Sequence, residues 1–170
     1  YSATVTASDG TNSTNQSITI TVKDLPEDSN PPAFTSSASF SADENQTAIG
    51  TVTATDADGD TITYSISGSE ITINSSSGVL TFVTAPDYET KSSYSATVSA
   101  SDGTNSTDQN ITVEINNLND NLPFFTSSAS FSADENQTAI GTVTATDADG
   151  DTITFSISGS EITINSSSGV

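Results

Sequence analysis

"YSATVSASDGTNSTDQNITVEIN", residues 94–116, sets the fold class. Tyr94, Ala96, Val98 and Ala100 hold alternate positions, and so do Ile111, Val113 and Ile115. A period of two places them on one face of an extended chain, so each run reads as a half-buried strand. Between them lies Asp102-Gly103, a pair that turns the chain at little steric cost. Upstream, Ile62, Tyr64 and Ile66 alternate in "TITYSIS". Further punctuation falls at Asp58-Gly59, which by itself reads as a hairpin turn, and at Ser77-Gly78. No segment carries helical spacing. The expectation is an all-β fold, a sandwich with several short strands per roughly 90 residues.

Alternation argues against disorder, which the composition alone would permit. Only 32% of the 170 residues are hydrophobic, and 22 Asp and Glu face Lys23 and Lys91, for a formal charge of −20. Nucleic acid and anionic membranes need a basic footprint, so neither is a partner. No apolar run reaches the roughly 18 residues that a membrane-spanning helix requires. The opening "YSATVTASDG" reads as strand and not as a signal peptide. Without Cys or His there is no disulfide framework, no thiolate zinc site and no ordinary nucleophile–base pair, so an enzyme is not expected. A core this thin calls for stability from outside itself.

The chain repeats. "FTSSASFSADENQTAIGTVTATDADGDTITYSISGSEITINSSSGV" begins at Phe34 and returns 91 residues later at Phe125, with Phe155 for Tyr64. "YSATVTASDGTNST" at Tyr1 returns 93 residues later as "YSATVSASDGTNST" at Tyr94. Residues 1–33 therefore read as the back of one repeat with its linker, 34–124 as a whole repeat with its linker, and 125–170 as the front of another. Such a frame reads as a piece of a longer array. Each outer piece carries half a core and unpaired strand edges. Their contents are complementary apart from a counterpart of residues 80–93. The expectation is head-to-tail self-association between molecules, open-ended in form.

Acidic residues cluster between the strands, in "DENQ" (43–46), "DADGD" (56–60), "PDYE" (86–89), "SDG" (101–103) and the linker "NNLNDNLPFF" (116–125). A solvated acidic surface is one account of them. Short clusters with small neighbours also suit hard cations, which take six to eight oxygen ligands. An EF-hand does not fit, because Gly59 comes two positions early and Ser67 stands where the closing Glu would be.

Taken together, the set resembles the cadherin repeat. "DEN" at 43–45 and 134–136, "DAD" at 56–58 and 147–149, "DYE" at 87–89, "ASDG" at 7–10 and 100–103, and "NLNDNLP" at 117–123 follow that family's order. Tyr88 stands for the family's Arg, and Asn117 for the leading Asp of the linker. The resemblance implies a Greek-key β-sandwich in tandem, joined by calcium-binding linkers. At the second junction it implies Glu44, Asp87 and Glu89 from the preceding repeat and Asp147 and Asp149 from the following one. The linker would add Leu118 and Asn121 through their carbonyls, with Asn119 and Asp120. The first junction departs further: Asp24, Asp28 and Asn30 are implied from its linker, with Glu27 left open, and Asp56, Asp58 and Asp102 from its far side. Asp9 and Glu135 of a neighbouring molecule would complete the two sites. The first junction is expected to hold fewer ions or hold them less tightly.

The function so implied is structural. Near-identical repeats, acidic joints and the absence of Cys resemble the extender regions of large bacterial surface adhesins. Calcium would stiffen the array on the cell exterior, with neighbouring repeats as partners, and hold a distal binding domain outward. The alternative is a cadherin-like domain that itself binds carbohydrate or mediates homophilic adhesion.

Overall fold

The computed structural model describes residues 1–23 and 30–170. Among the described residues thirteen strands run in chain order: β1 Ser2–Ser8, β2 Ser13–Thr19, β3 Ala33–Phe34, β4 Ser39–Asp43, β5 Ala48–Thr51, β6 Ala54–Thr55, β7 Thr63–Ile66, β8 Ile71–Ile73, β9 Val79–Phe82, β10 Ser93–Ser101, β11 Ser106–Asn116, β12 Phe124–Phe125 and β13 Ala145–Thr146. No helix occurs among the described residues.

The alternating stretch 94–116 forms a long antiparallel hairpin of β10 and β11, closed at Ser101 opposite Ser106. β7 adds to β10 antiparallel, and β4 adds to β11 parallel, giving the order β4-β11-β10-β7. The opposing sheet is β5-β9-β8, flanked by the short β3-β6 pair. The chain changes sheet between β4 and β5, between β7 and β8 and between β9 and β10, while β8–β9 and β10–β11 are hairpins within one sheet. Val98, Ile111, Val113 and Ile115 line one inner face; Val52, Ile71, Leu80 and Phe82 meet them from the other side. Each such side chain, fully buried, contributes about 1.5–3 kcal/mol. At the rim Phe82 meets Tyr94 edge-on at 4.9 Å. Lys91 lies 4.2 Å above the Tyr94 ring and pairs with Glu70 at 2.6 Å.

Two Gly turns differ in kind. Ser77-Gly78 closes the β8–β9 hairpin, with Gly78 at φ +69°. A Cβ there would lie 2.1 Å from the Val52 carbonyl oxygen, so only glycine fits. The hairpin reading of Asp58-Gly59 is not what forms: β6 pairs with β3 and β7 with β10. That loop carries the chain from one sheet to the other, which frees its carboxylates from any strand ladder.

Outside this sandwich, β1 and β2 pair in the register of β10 and β11. Their apolar face is open: Val5 is 51% exposed, whereas its counterpart Val98 is 0%. Residues 125–170 keep the turn framework of 34–79. Asn136 has φ 62° as Asn45 has 63°, and Val143 N–H donates to the Gly169 carbonyl at 2.9 Å as Val52 does to Gly78. Only β12 and β13 pair, however, and Ile162 is 50% exposed against 3% for Ile71. Turns close locally, whereas strands need the neighbours that β9, β10 and β11 supply in the whole repeat.

Candidate metal centre

β4 ends at Asp43, and the turn after it is set by Asn45 at φ +63°, a conformation Asn tolerates better than most residues. Glu44 rides this turn and is 2% exposed. A buried carboxylate needs donors. Glu44 Oε1 accepts the Leu118 N–H at 2.7 Å, and Oε2 accepts the Tyr88 N–H at 2.8 Å. The turn thereby draws the linker and residues 87–89 to one place. Glu44, Glu89, Asp120 and Asp149 each present an oxygen there, all within 4.8 Å of one another. They come from the repeat, the linker and the segment beyond it. Asp149 Oδ2 accepts the N–H groups of Asp120 at 3.1 Å and Asn121 at 2.8 Å. The Asn121 amide donates to Asp120, Asp149 and Glu89 at 2.8, 3.1 and 3.2 Å. Asp147, Asp149 and Asp151 form a second group that shares Asp149.

The charges respond to this crowding. Glu89 counts as exposed, yet its carboxyl is pushed above the usual range, first by lost hydration and then by Asp149 and Glu44. Asp149 goes the other way, held down first by the Asn121 amide and then by the backbone donors of the linker. An uncompensated acidic centre of this sort is a place for a cation.

At the first junction Asn30 meets Asp58 as Asn121 meets Asp149. Its N–H donates at 2.9 Å and its amide at 3.0 and 3.1 Å. Asp56 Oδ1 accepts the N–H groups of Asp58 at 2.9 Å and Asp60 at 3.2 Å, and Asp56, Asp58 and Asp60 form a third group. Asp102 Oδ1 accepts from Thr104 and Asn105 at 2.7 and 2.6 Å. Burial works to raise the Asp102 pKa, but these donors prevail and hold it low. Asp56 Oδ2 and Asp102 Oδ2 are both buried without a hydrogen-bond partner.

Other expected ligands lie elsewhere. Asp24 and Asp28, with Glu27, fall outside the described residues. Asp87 is turned into its own loop, where the Thr90 hydroxyl donates to it at 2.9 Å and its pKa is lowered, first by that contact. Asp9 closes the β1–β2 turn by accepting from Thr11 and Asn12, and these contacts lower its pKa. Asn119 and Glu135 are exposed, and Glu135 joins none of the three groups. Leu118 takes part through its N–H, and Asn121 through its N–H and amide. Three residues were not expected in these roles: Asp60, Asp151 and Asn45, whose amide donates to Asp120. The Asp-x-Asp-x-Asp spacing of "DADGD" was the available signal for the first two, since a loop can turn alternate carboxylates inward.

Residues 37–116 match the family model of the cadherin domain. They form a cadherin-like repeat. The mouse protein cadherin-related family member 2 is 36% identical over 88 residues, which is 50% of this chain and 7% of that protein. The crystal structure of mouse cadherin-23 EC22-24 superposes with a TM-score of 0.78 at 25% identity, covering 99% of this chain and 60% of that one. Human protocadherin-24 EC1-2 shares the fold at TM-score 0.58 and 24% identity, over 71% of this chain and 61% of its own. Calcium is the ion cadherin domains typically take. The residues here fit it: the candidate ligands are hard oxygens, at the second junction the carboxylates converge from three segments, and at the first two buried carboxylate oxygens, Asp56 Oδ2 and Asp102 Oδ2, lack a hydrogen-bond partner.

Proposed function

We propose that this chain is an extender segment of a cell-surface adhesin, made of cadherin-like repeats divided at 1–33, 34–124 and 125–170. Calcium bound at the junctions stiffens the array, which stands outside the cell, of bacterial type, and projects a distal binding domain. One observation carries the reading: Glu44, Glu89, Asp120 and Asp149 converge from a repeat, its linker and the segment that follows. An ion held by all three cross-links them, and the repulsion that opens the joint becomes the force that closes it. Glu44, Glu89, Asp120, Asp147 and Asp149 would hold it at the second junction. Asn30, Asp56, Asp58 and Asp102 would do so at the first. The open faces of β1–β2 and of residues 125–170 take complementary repeat segments, and a second copy of this chain supplies them head to tail.

Small-angle scattering over a calcium titration tests the extender. The radius of gyration should fall in spread and settle as calcium enters the range of about 10⁻⁴ to 10⁻³ M typical of extracellular sites. Scattering unchanged between calcium and chelator would remove the reading. Anomalous diffraction would then locate the ions.

A further inference from the structure

The linker of the second junction is held from two sides by different means. On the near side residues 116–118 are held by direct hydrogen bonds to the 43–45 turn. Glu44 N–H donates to the Asn116 carbonyl at 3.2 Å, and Asn45 N–H to the Pro86 carbonyl at 2.9 Å. Leu118 and Tyr88 donate their N–H groups to the two oxygens of Glu44. Asn116 adds its amide to Asp43 at 2.8 Å, beside the last paired residues of β4 and β11. On the far side the bonds run instead to Asp149. They come from Asn117 through its amide, and from Asp120 and Asn121 through their N–H groups. Asp149 belongs to the crowded quartet, so these far-side bonds form where like charges repel.

We infer that Glu44 is a positioning residue that latches the linker to its own repeat without any ion. Its charge is answered by two backbone donors, inside the repeat, whether or not a cation is present. The backbone is therefore fixed as far as Leu118; beyond it the linker meets its own repeat only through side chains, Asp120 with Asn45 and Asn121 with Glu89, and the backbone hinge of the ion-free joint lies at residues 119–122. Calcium fixes only what lies beyond. The latch stands on these hydrogen bonds alone; what calcium adds to it rests on the function proposed above. A Glu44 that served solely as a metal ligand would do nothing in chelator except repel its neighbours.

Amide hydrogen exchange by NMR on the 170-residue chain separates the two. In chelator the Leu118 and Tyr88 amides should be protected, while Asp120 and Asn121 exchange at the rate of exposed amides. Glu44→Gln keeps one acceptor oxygen and loses the other. In chelator it should speed exchange at Leu118 or Tyr88 by about tenfold or more, while Val98 and Val113 in the core hairpin keep their protection. Leu118 exchanging as fast as Asn121 in the wild-type chain without calcium would overturn the latch. So would Glu44→Gln leaving both amides unchanged in chelator. Leu118 protected throughout, with Asp120 and Asn121 indifferent to added calcium, would support the latch and tell against the calcium joint.

Discussion

Asp120→Asn should act in opposite directions with and without calcium. Asp120 is one of four carboxylates with oxygens inside 4.8 Å, and it accepts from the amides of Asn45 and Asn121. The substitution removes a charge but keeps an oxygen that can still accept. In chelator it relieves repulsion, so the variant should melt no lower than the wild type. With calcium the balance reverses. Extracellular sites bind at about 10⁻⁴ to 10⁻³ M, so about 10 mM calcium stabilises by about 1.4–2.7 kcal/mol per ion. For a domain of this size each kcal/mol moves Tm by about 4–8 °C, which gives a calcium shift of about 6–20 °C. Even residues that only support a ligand weaken metal binding by about 10–100-fold when lost. A loss of about tenfold cuts the calcium gain to about 0.4–1.4 kcal/mol, and the Tm shift to about 2–11 °C. Differential scanning calorimetry of both proteins in calcium and in chelator reads all four values. An undiminished calcium shift in the variant would mean that Asp120 binds no ion. A variant less stable than wild type in chelator would mean that its hydrogen bonds outweigh its charge.

Gly68 and Gly78 both have positive φ, but a Cβ at Gly68 meets nothing within 4 Å, whereas one at Gly78 strikes the Val52 carbonyl. Gly68→Ala should cost about 1–2 kcal/mol and Gly78→Ala clearly more; equal urea midpoints would contradict the β8–β9 packing. Glu89 has a raised pKa in the ion-free fold, so its protonated form favours that fold, fully below the ordinary glutamate value and not at all once pH rises through the raised one. Calcium needs the carboxylate, so uptake just above the ordinary glutamate range should release protons; calorimetry in buffers of different ionisation heat measures them, and none released would sever Glu89 from the site. Head-to-tail pairing predicts concentration-dependent sedimentation, abolished by Val5→Asp on the open hairpin face. A constant monomer at the highest soluble concentration would exclude it.

The sequence disclosed which residues face inward better than which strands meet. Tyr94, Val98, Ile111 and Val113 declare their face by spacing alone, and that face is the core. The parallel pairing of Ser39–Asp43 with Thr112–Asn116 joins segments 73 residues apart, and no local pattern encodes it. Asp58-Gly59 misleads for the same reason: a turn signal fixes the bend, not the sheet the next strand enters. The order of acidic triplets pointed to Glu44, Glu89, Asp120 and Asp149, and the fold brings an oxygen of each within 4.8 Å of the others. It could not show that Thr90 engages Asp87, because a side-chain contact three residues away competes with a ligand role only in the folded loop. Nor could it show Glu44 bonded to two backbone amides, since one residue type serves both as ligand and as acceptor.

Where the acids sit decides what salt can do. Spread evenly, a charge of −20 would be a global strain that ordinary salt relieves. Here the carboxylates of the joint stand within 4.8 Å, inside the roughly 8 Å Debye length of physiological salt. Monovalent ions at that strength screen one joint from the next but leave the quartet largely unscreened. Raising sodium chloride to about 1 M shortens the Debye length to about 3 Å and relaxes the repulsion, yet supplies nothing that bridges three segments. High salt should therefore raise the melting temperature in chelator without narrowing the spread of the radius of gyration, whereas millimolar calcium does both. If sodium chloride alone made the scattering that of a stiff rod, simple repulsion would govern the joint, and coordination would be unnecessary to explain it.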